Sequence, residues 1–96
     1  MSYQRFFGEV DDEPFLVLAA DGREAGMAVV AKLGLDVLNG SKEEEHTIRV
    51  LPLWYAYNSG LVENAEVSTF PILIAREVIA EFETARLARL QKGAKA

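Results

Sequence analysis

The segment from Ser68 to Gly93 constrains the fold more than any other part of the chain. Ile72, Ala75, Val78, Ile79, Phe82 and Leu90 recur there at helical spacing and make one apolar stripe. Ser68 or Thr69 can cap the start, and Pro71 suits a first turn, where a missing N–H costs nothing. Glu77, Glu81 and Glu83 come early and Arg86, Arg89 and Lys92 late, the order that the helix macrodipole favours. These signals predict a long C-terminal helix from about Pro71 to Leu90, stopped by Gly93, with 94–96 fraying. An amphipathic helix of this kind needs a second layer to pack on.

The rest of the chain supplies that layer. Tyr3–Val10 carries Tyr3, Phe6 and Phe7 between polar residues and reads as a half-exposed strand. Asp11-Asp12-Glu13-Pro14 reads as a turn. Phe15–Ala20 contains no polar residue, the pattern of a strand that is central or covered on both faces. Together they predict an antiparallel hairpin. Asp21 and Glu24 form a capping-box pattern, and a helix is expected over Gly22–Leu38 with Gly26, Val29, Val30, Leu33 and Val37 on one face. Gly26 and Gly34 lie on or beside that face, which suggests a close approach to the sheet. Asn39-Gly40 offers a left-handed stop. Ser41–Glu45 reads as a charged loop and His46–Leu51 as a third strand, which Pro52 makes an edge or a bend. Leu53–Tyr57 is strand-like, Asn58-Ser59-Gly60 a turn, and Leu61–Val67 a short fourth strand. The expected order is β-β-α-β-(β)-α: one two-layer α+β domain over residues 1–93, with two helices and an antiparallel sheet of three to four strands.

Composition narrows the chemistry. The chain of 96 residues has no cysteine and one histidine. That excludes disulfides, thiolate nucleophiles and iron–sulfur ligation, along with catalytic sites that need two imidazoles. No metal or cofactor is expected. Residues 1–85 hold six basic side chains against fifteen acidic ones, whereas residues 86–96 hold four basic ones and no acid. The body should repel nucleic acid, and four cations make a weak polyelectrolyte site, so nucleic acid is not an expected partner. The terminal cations are read as complementing their own helix end. No apolar run is long enough for a membrane span and the first ten residues lack a signal-peptide core, which points to the cytoplasm.

Four stretches are candidates for chemistry. His46 follows Glu43, Glu44 and Glu45, but neighbouring residues cannot all face one ion, and a solvated loop explains them. Asp11-Asp12-Glu13 lacks the alternate spacing and glycine of a calcium loop. Asp21–Gly26 has glycines after a strand but no G-x-G-x-x-G and no G-K-[ST], and its acids would repel a phosphate. Trp54-Tyr55-Ala56-Tyr57-Asn58 is the most suggestive. As a strand it would turn Trp54 and Ala56 to one face, and Tyr55 and Tyr57 to the other. One pair would then form an aromatic surface of the type enriched at protein interfaces. Trp54, Tyr55, Tyr57 and Asn58 are therefore the candidate binding residues.

No nucleophile–base–orienter pattern is present, so no catalytic residue is assigned and an enzyme is not favoured. The reading that results is a small non-catalytic module that binds another protein and forms a homodimer. Two alternatives remain at this level. One is an inhibitor of the phage or mobile-element kind, whose acidic surface mimics nucleic acid. The other is a small-ligand binder with a pocket near Trp54–Tyr57.

Overall fold

The computed structural model describes residues 2–40 and 46–94; the expected charged loop of 41–45 and the end of the chain at 95–96 lie outside them. The elements run β1 (Gln4–Val10), β2 (Glu13–Ala19), α1 (Gly22–Gly40), β3 (Ile48–Pro52), α2 (Leu53–Asn58), α3 (Asn64–Val67), β4 (Ile72–Ile74) and α4 (Ala75–Ala94). The fold is α+β, with a four-stranded sheet in the order β3-β1-β2-β4 and a long C-terminal helix.

β1 and β2 form the expected hairpin, with Val10 opposite Glu13. Only Asp11 and Asp12 lie between the strands, at φ 49° and 70°. Two left-handed residues make a tight hairpin turn whose twist matches that of the strands, and aspartate tolerates this backbone better than most residues. Asp11 also anchors β3. Its N–H donates to the Thr47 carbonyl at 2.9 Å, and its Oδ1 accepts from the Thr47 N–H at 2.8 Å. β3 then runs antiparallel to β1 along one edge of the sheet. Glu9 faces Arg49 across that ladder, and their side chains meet at 2.6 Å.

At the other edge the sheet departs from the antiparallel arrangement. Ile72–Ile74 pairs with Leu16–Leu18 in parallel, and the Leu16 N–H donates to the Pro71 carbonyl at 3.1 Å. The C-terminal helix therefore begins at Ala75, not near Pro71. Ile72 fits the helical spacing equally well as sequence, but the free edge of β2 takes these residues as strand. The fourth strand is this segment and not Leu61–Val67. Residues 64–67 instead form α3, opened by a capping box between Glu63 and Glu66.

The third correction concerns Leu53–Tyr57. Pro52 ends β3 with extended backbone (φ −54°, ψ 141°), and the next six residues coil into α2. Leu53 and Ala56, three apart, are its buried residues. The aromatic composition mimicked a strand, but burial follows the helical period.

α2 and the segment after it cover the second face of the sheet. Phe7, Leu16, Leu53, Ala56 and Val62 form one buried cluster there, flanked by Tyr57, Val67 and Phe70. The Phe7 and Phe70 rings lie 5.9 Å apart. The other face carries the larger cluster, including Phe6, Val17, Ala25, Ala28, Val29 and Val78, under α1 and α4. β2 is thus sandwiched, as its apolar sequence implies. The two long helices expected from the sequence cover one face only, and the short helices α2 and α3 with the chain around them close the other.

Small residues set the spacing of the layers. A Cβ on Gly8 would stand 2.8 Å from Val29 Cγ2, so α1 rests directly on β1 at that point. A Cβ on Gly34 would stand 2.2 Å from Phe82 Cε1. Gly34 therefore admits the α4 ring, not the sheet that its place in the sequence suggested. Gly26, by contrast, has open space beside it. The capping box at the start of α1 is present: Glu24 N–H donates to Asp21 Oδ1 at 2.8 Å, and Ala20 N–H reaches Glu24 Oε1 at 3.5 Å.

Candidate interaction surfaces

The candidate residues Trp54, Tyr55, Tyr57 and Asn58 all sit on α2, and the helix sorts them differently from a strand. Leu53 and Ala56 pin α2 to the sheet. Trp54 and Tyr55 point away from that contact and are 63% and 47% exposed. Their rings meet edge to face, with centroids 5.8 Å apart and planes at 77°. Tyr57 is half-buried against the Phe7–Leu16 cluster, and Asn58 is exposed at the helix end. The structure thus unites Trp54 with Tyr55 and separates Tyr57 from them. An exposed indole on an anchored helix loses little freedom when a partner covers it, which is the physical basis of aromatic hot spots.

A second surface lies between α1 and α4. Gly26, Met27, Val30, Ile79 and Phe82 line a hollow of about 530 Å³ that is mostly apolar. It meets a second hollow of about 500 Å³, where Tyr3, Arg23 and Arg76 add polar groups. Among the described residues, neither Arg23 nor Arg76 has an acidic partner within 4 Å. Asp21 and Glu24 also line that end, but their carboxylates are engaged in the α1 cap.

This surface was hidden from sequence reading. On a helical wheel Val30 falls on the same face as Val29 and Leu33. In the structure Ala25, Ala28, Val29 and Ala31 are buried, while Met27 and Val30 are exposed. The overlooked signal was the row of alanines, which lets a helix approach a sheet closely and leaves its larger side chains outside.

Past the core, α4 carries a further apolar patch. Leu87 and Leu90 are 53% and 59% exposed. The molecule measures 52 × 32 × 20 Å with a radius of gyration of 14.7 Å, against roughly 12–13 Å for a compact chain of this length. A helix of 20 residues is about 30 Å long, more than a short sheet can cover. Arg86 meets Glu83 one turn back at 2.8 Å, and Arg89 is exposed.

His46 is not the freely solvated residue its charged neighbours suggested. Its Nδ1–H donates to Asp11 Oδ2 at 2.5 Å. That bond, and then the one from the Thr47 N–H, hold the Asp11 carboxyl below its ordinary value. The pair ties the start of β3 to the hairpin. Among the described residues, no hydroxyl is hydrogen-bonded to His46 and no group of three His, Asp or Glu side chains is placed to hold a metal ion. No described helix is long and apolar enough to cross a membrane.

Comparison with protein-family models, with curated proteins and with solved structures finds no match to the chain.

Proposed function

We propose that this chain is a small non-catalytic interaction module of the cytoplasm, which binds another protein through α2 and associates with itself through the α1/α4 side. The observation that carries the reading is the outward presentation of Trp54 and Tyr55 on a helix fixed by Leu53 and Ala56. A tryptophan left in water has a cost that a partner surface removes: each apolar Å² covered contributes about 25 cal/mol. The hydroxyl of Tyr55 and the indole N–H of Trp54 can add directed hydrogen bonds at the rim of such a contact. The exposed apolar residues between α1 and α4, on the opposite face of the sheet, support self-association.

The alternative of a small-ligand pocket beside the aromatic residues draws less support. A hollow on that side of the sheet is lined by Phe7, Leu61, Val62 and Phe70, and Trp54, Tyr55 and Tyr57 do not border it.

The test pairs two baits, the wild-type chain and the double variant Trp54→Ala/Tyr55→Ala, each shown folded by circular dichroism. Extracts of the source cell are passed over both, and retained proteins are quantified. Loss of a hot-spot tryptophan costs about 2 kcal/mol or more, which is roughly a 30-fold change in affinity. At least one protein should be held by the wild type and depleted on the variant. Equal retention on both baits, or none on either, would contradict the α2 assignment.

A further inference from the structure

The outward side of α4 carries a repeat that the apolar count alone does not reveal. Ile79, Glu83, Arg86 and Leu90 follow one another at spacings of four, three and four residues. Ile79 and Arg86 thus share one heptad position and Glu83 and Leu90 the other, which is the spacing of a short helix-pairing seam with apolar ends and a charged middle. Glu83, Arg86 and Leu90 are exposed, and Ile79, half-buried against the main cluster, borders both hollows between α1 and α4. Glu83 and Arg86 pair with each other at 2.8 Å within one chain, and the pairing with a second copy exchanges that exposed contact in each chain for two across the interface.

The seam is its own complement when read backwards. If two copies of α4 lie antiparallel with their two-fold axis between Thr84 and Ala85, the layers of the seam are fixed. Ile79 meets Leu90 of the partner, and Glu83 meets Arg86 of the partner; each contact occurs twice, as an isologous interface requires. A parallel pairing would put Glu83 against Glu83 and Arg86 against Arg86, which repel. Charge therefore selects the antiparallel arrangement.

The shape of the molecule agrees. Near Ile79 the helix is flanked by α1 and opens onto the hollow lined by Met27, Val30 and Phe82. Near Leu90 it carries exposed leucines, and no element among the described residues covers them. Antiparallel packing brings the Leu87–Leu90 end of each copy to the hollow of the other, so the two unpartnered apolar surfaces cover each other. The charge balance follows the same division: fifteen acids lie before Arg86 and four cations with no acid lie from it onward.

From these observations we infer that a second copy of this chain occupies the α1/α4 hollow, in a two-fold antiparallel pairing of α4 through Ile79, Glu83, Arg86 and Leu90. This rests on the self-association reading above and specifies its surface and register.

Charge reversal tests it by sedimentation velocity, with helix content checked by circular dichroism. The wild type should dimerise. Glu83→Arg places two arginines together in each charged layer, and Arg86→Glu places two glutamates together. Each variant alone should dimerise about tenfold more weakly or worse. An equimolar mixture of the two restores one opposite pair per layer and should recover the dimer as a heterodimer. Undiminished dimerisation of both single variants would overturn the α4 register and leave self-association standing. Weakened variants that the mixture fails to rescue would also overturn it. A wild-type monomer throughout would sink the register and the self-association reading together, leaving the α2 surface untouched.

Discussion

Phe7→Ala should destabilise the domain by about 3–5 kcal/mol, the usual cost of emptying a buried phenylalanine site. Phe7 is 3% exposed, and Leu16 on the neighbouring strand is 2% exposed. Both lie on the sheet face covered by α2 and by the residues leading to Phe70. The ring at position 7 also packs against Phe70, which adds about 0.5–1.5 kcal/mol beyond the area term. A domain of this size has a total stability of roughly 5–14 kcal/mol, so the variant should lose about a fifth of it or more. Urea denaturation followed by circular dichroism measures the change directly. A loss below about 1 kcal/mol, typical of a surface site, would show that this face of the sheet is not closed.

Gly34→Leu is the second substitution with a large expected effect, about 3 kcal/mol of destabilisation. The more informative comparison is Gly34→Ala, where two opposing effects have similar size. Alanine in a helix interior is favoured over glycine by about 1 kcal/mol. Against that, the new methyl would overlap three atoms of the Phe82 ring, at 2.2, 2.9 and 3.0 Å. To clear the methyl, the ring must swing toward the hollow it lines and give up contacts with α1, or α1 and α4 must move apart. Overpacking of this kind typically costs about 1–3 kcal/mol. The overlap should win, and Gly34→Ala should be neutral to destabilising by about 1–2 kcal/mol. At Gly26, which has open space beside it, the same change should follow helix propensity and stabilise. Opposite signs at the two glycines would confirm the α1/α4 contact; stabilisation at both would refute it.

The parts of the fold that were legible in the sequence are those where local signals agree. In the hairpin, two apolar runs flank a pair of aspartates that the turn needs. At the start of α1, the Asp21/Glu24 pattern and the bonds it predicts coincide. For the body of α4, apolar period and charge order point the same way. The failures share a cause: each segment had a local pattern that two structures satisfy, and a distant edge or face decided between them. Ile72-Leu73-Ile74 could begin a helix or extend a sheet, and the vacant edge of β2 settles it. Leu53–Asn58 has strand-forming composition, but Phe7 and Leu16 offer a face that a short helix covers with Leu53 and Ala56.

The candidate site was half legible for the same reason. That the aromatic stretch would present a surface followed from composition. Which rings would share it depended on the helix, so Trp54 and Tyr55 stand together while Tyr57 turns to the core. The α1/α4 side is not legible in the sequence because apolar bulk alone does not decide which residues pack. Alanine and glycine fill the contact instead, leaving Met27, Val30, Leu87 and Leu90 in solvent.

The measurement that bears most directly on an interaction module of this design is the mass of the unmodified chain in solution. Sedimentation velocity at rising concentration through the micromolar range should show the species moving from the 10.6 kDa of one chain to twice that value. The single tryptophan, Trp54, lies on α2, away from the proposed contact, so its emission should stay that of a water-exposed indole as the dimer forms. A mass that remains at 10.6 kDa across the whole range would contradict self-association through the α1/α4 side.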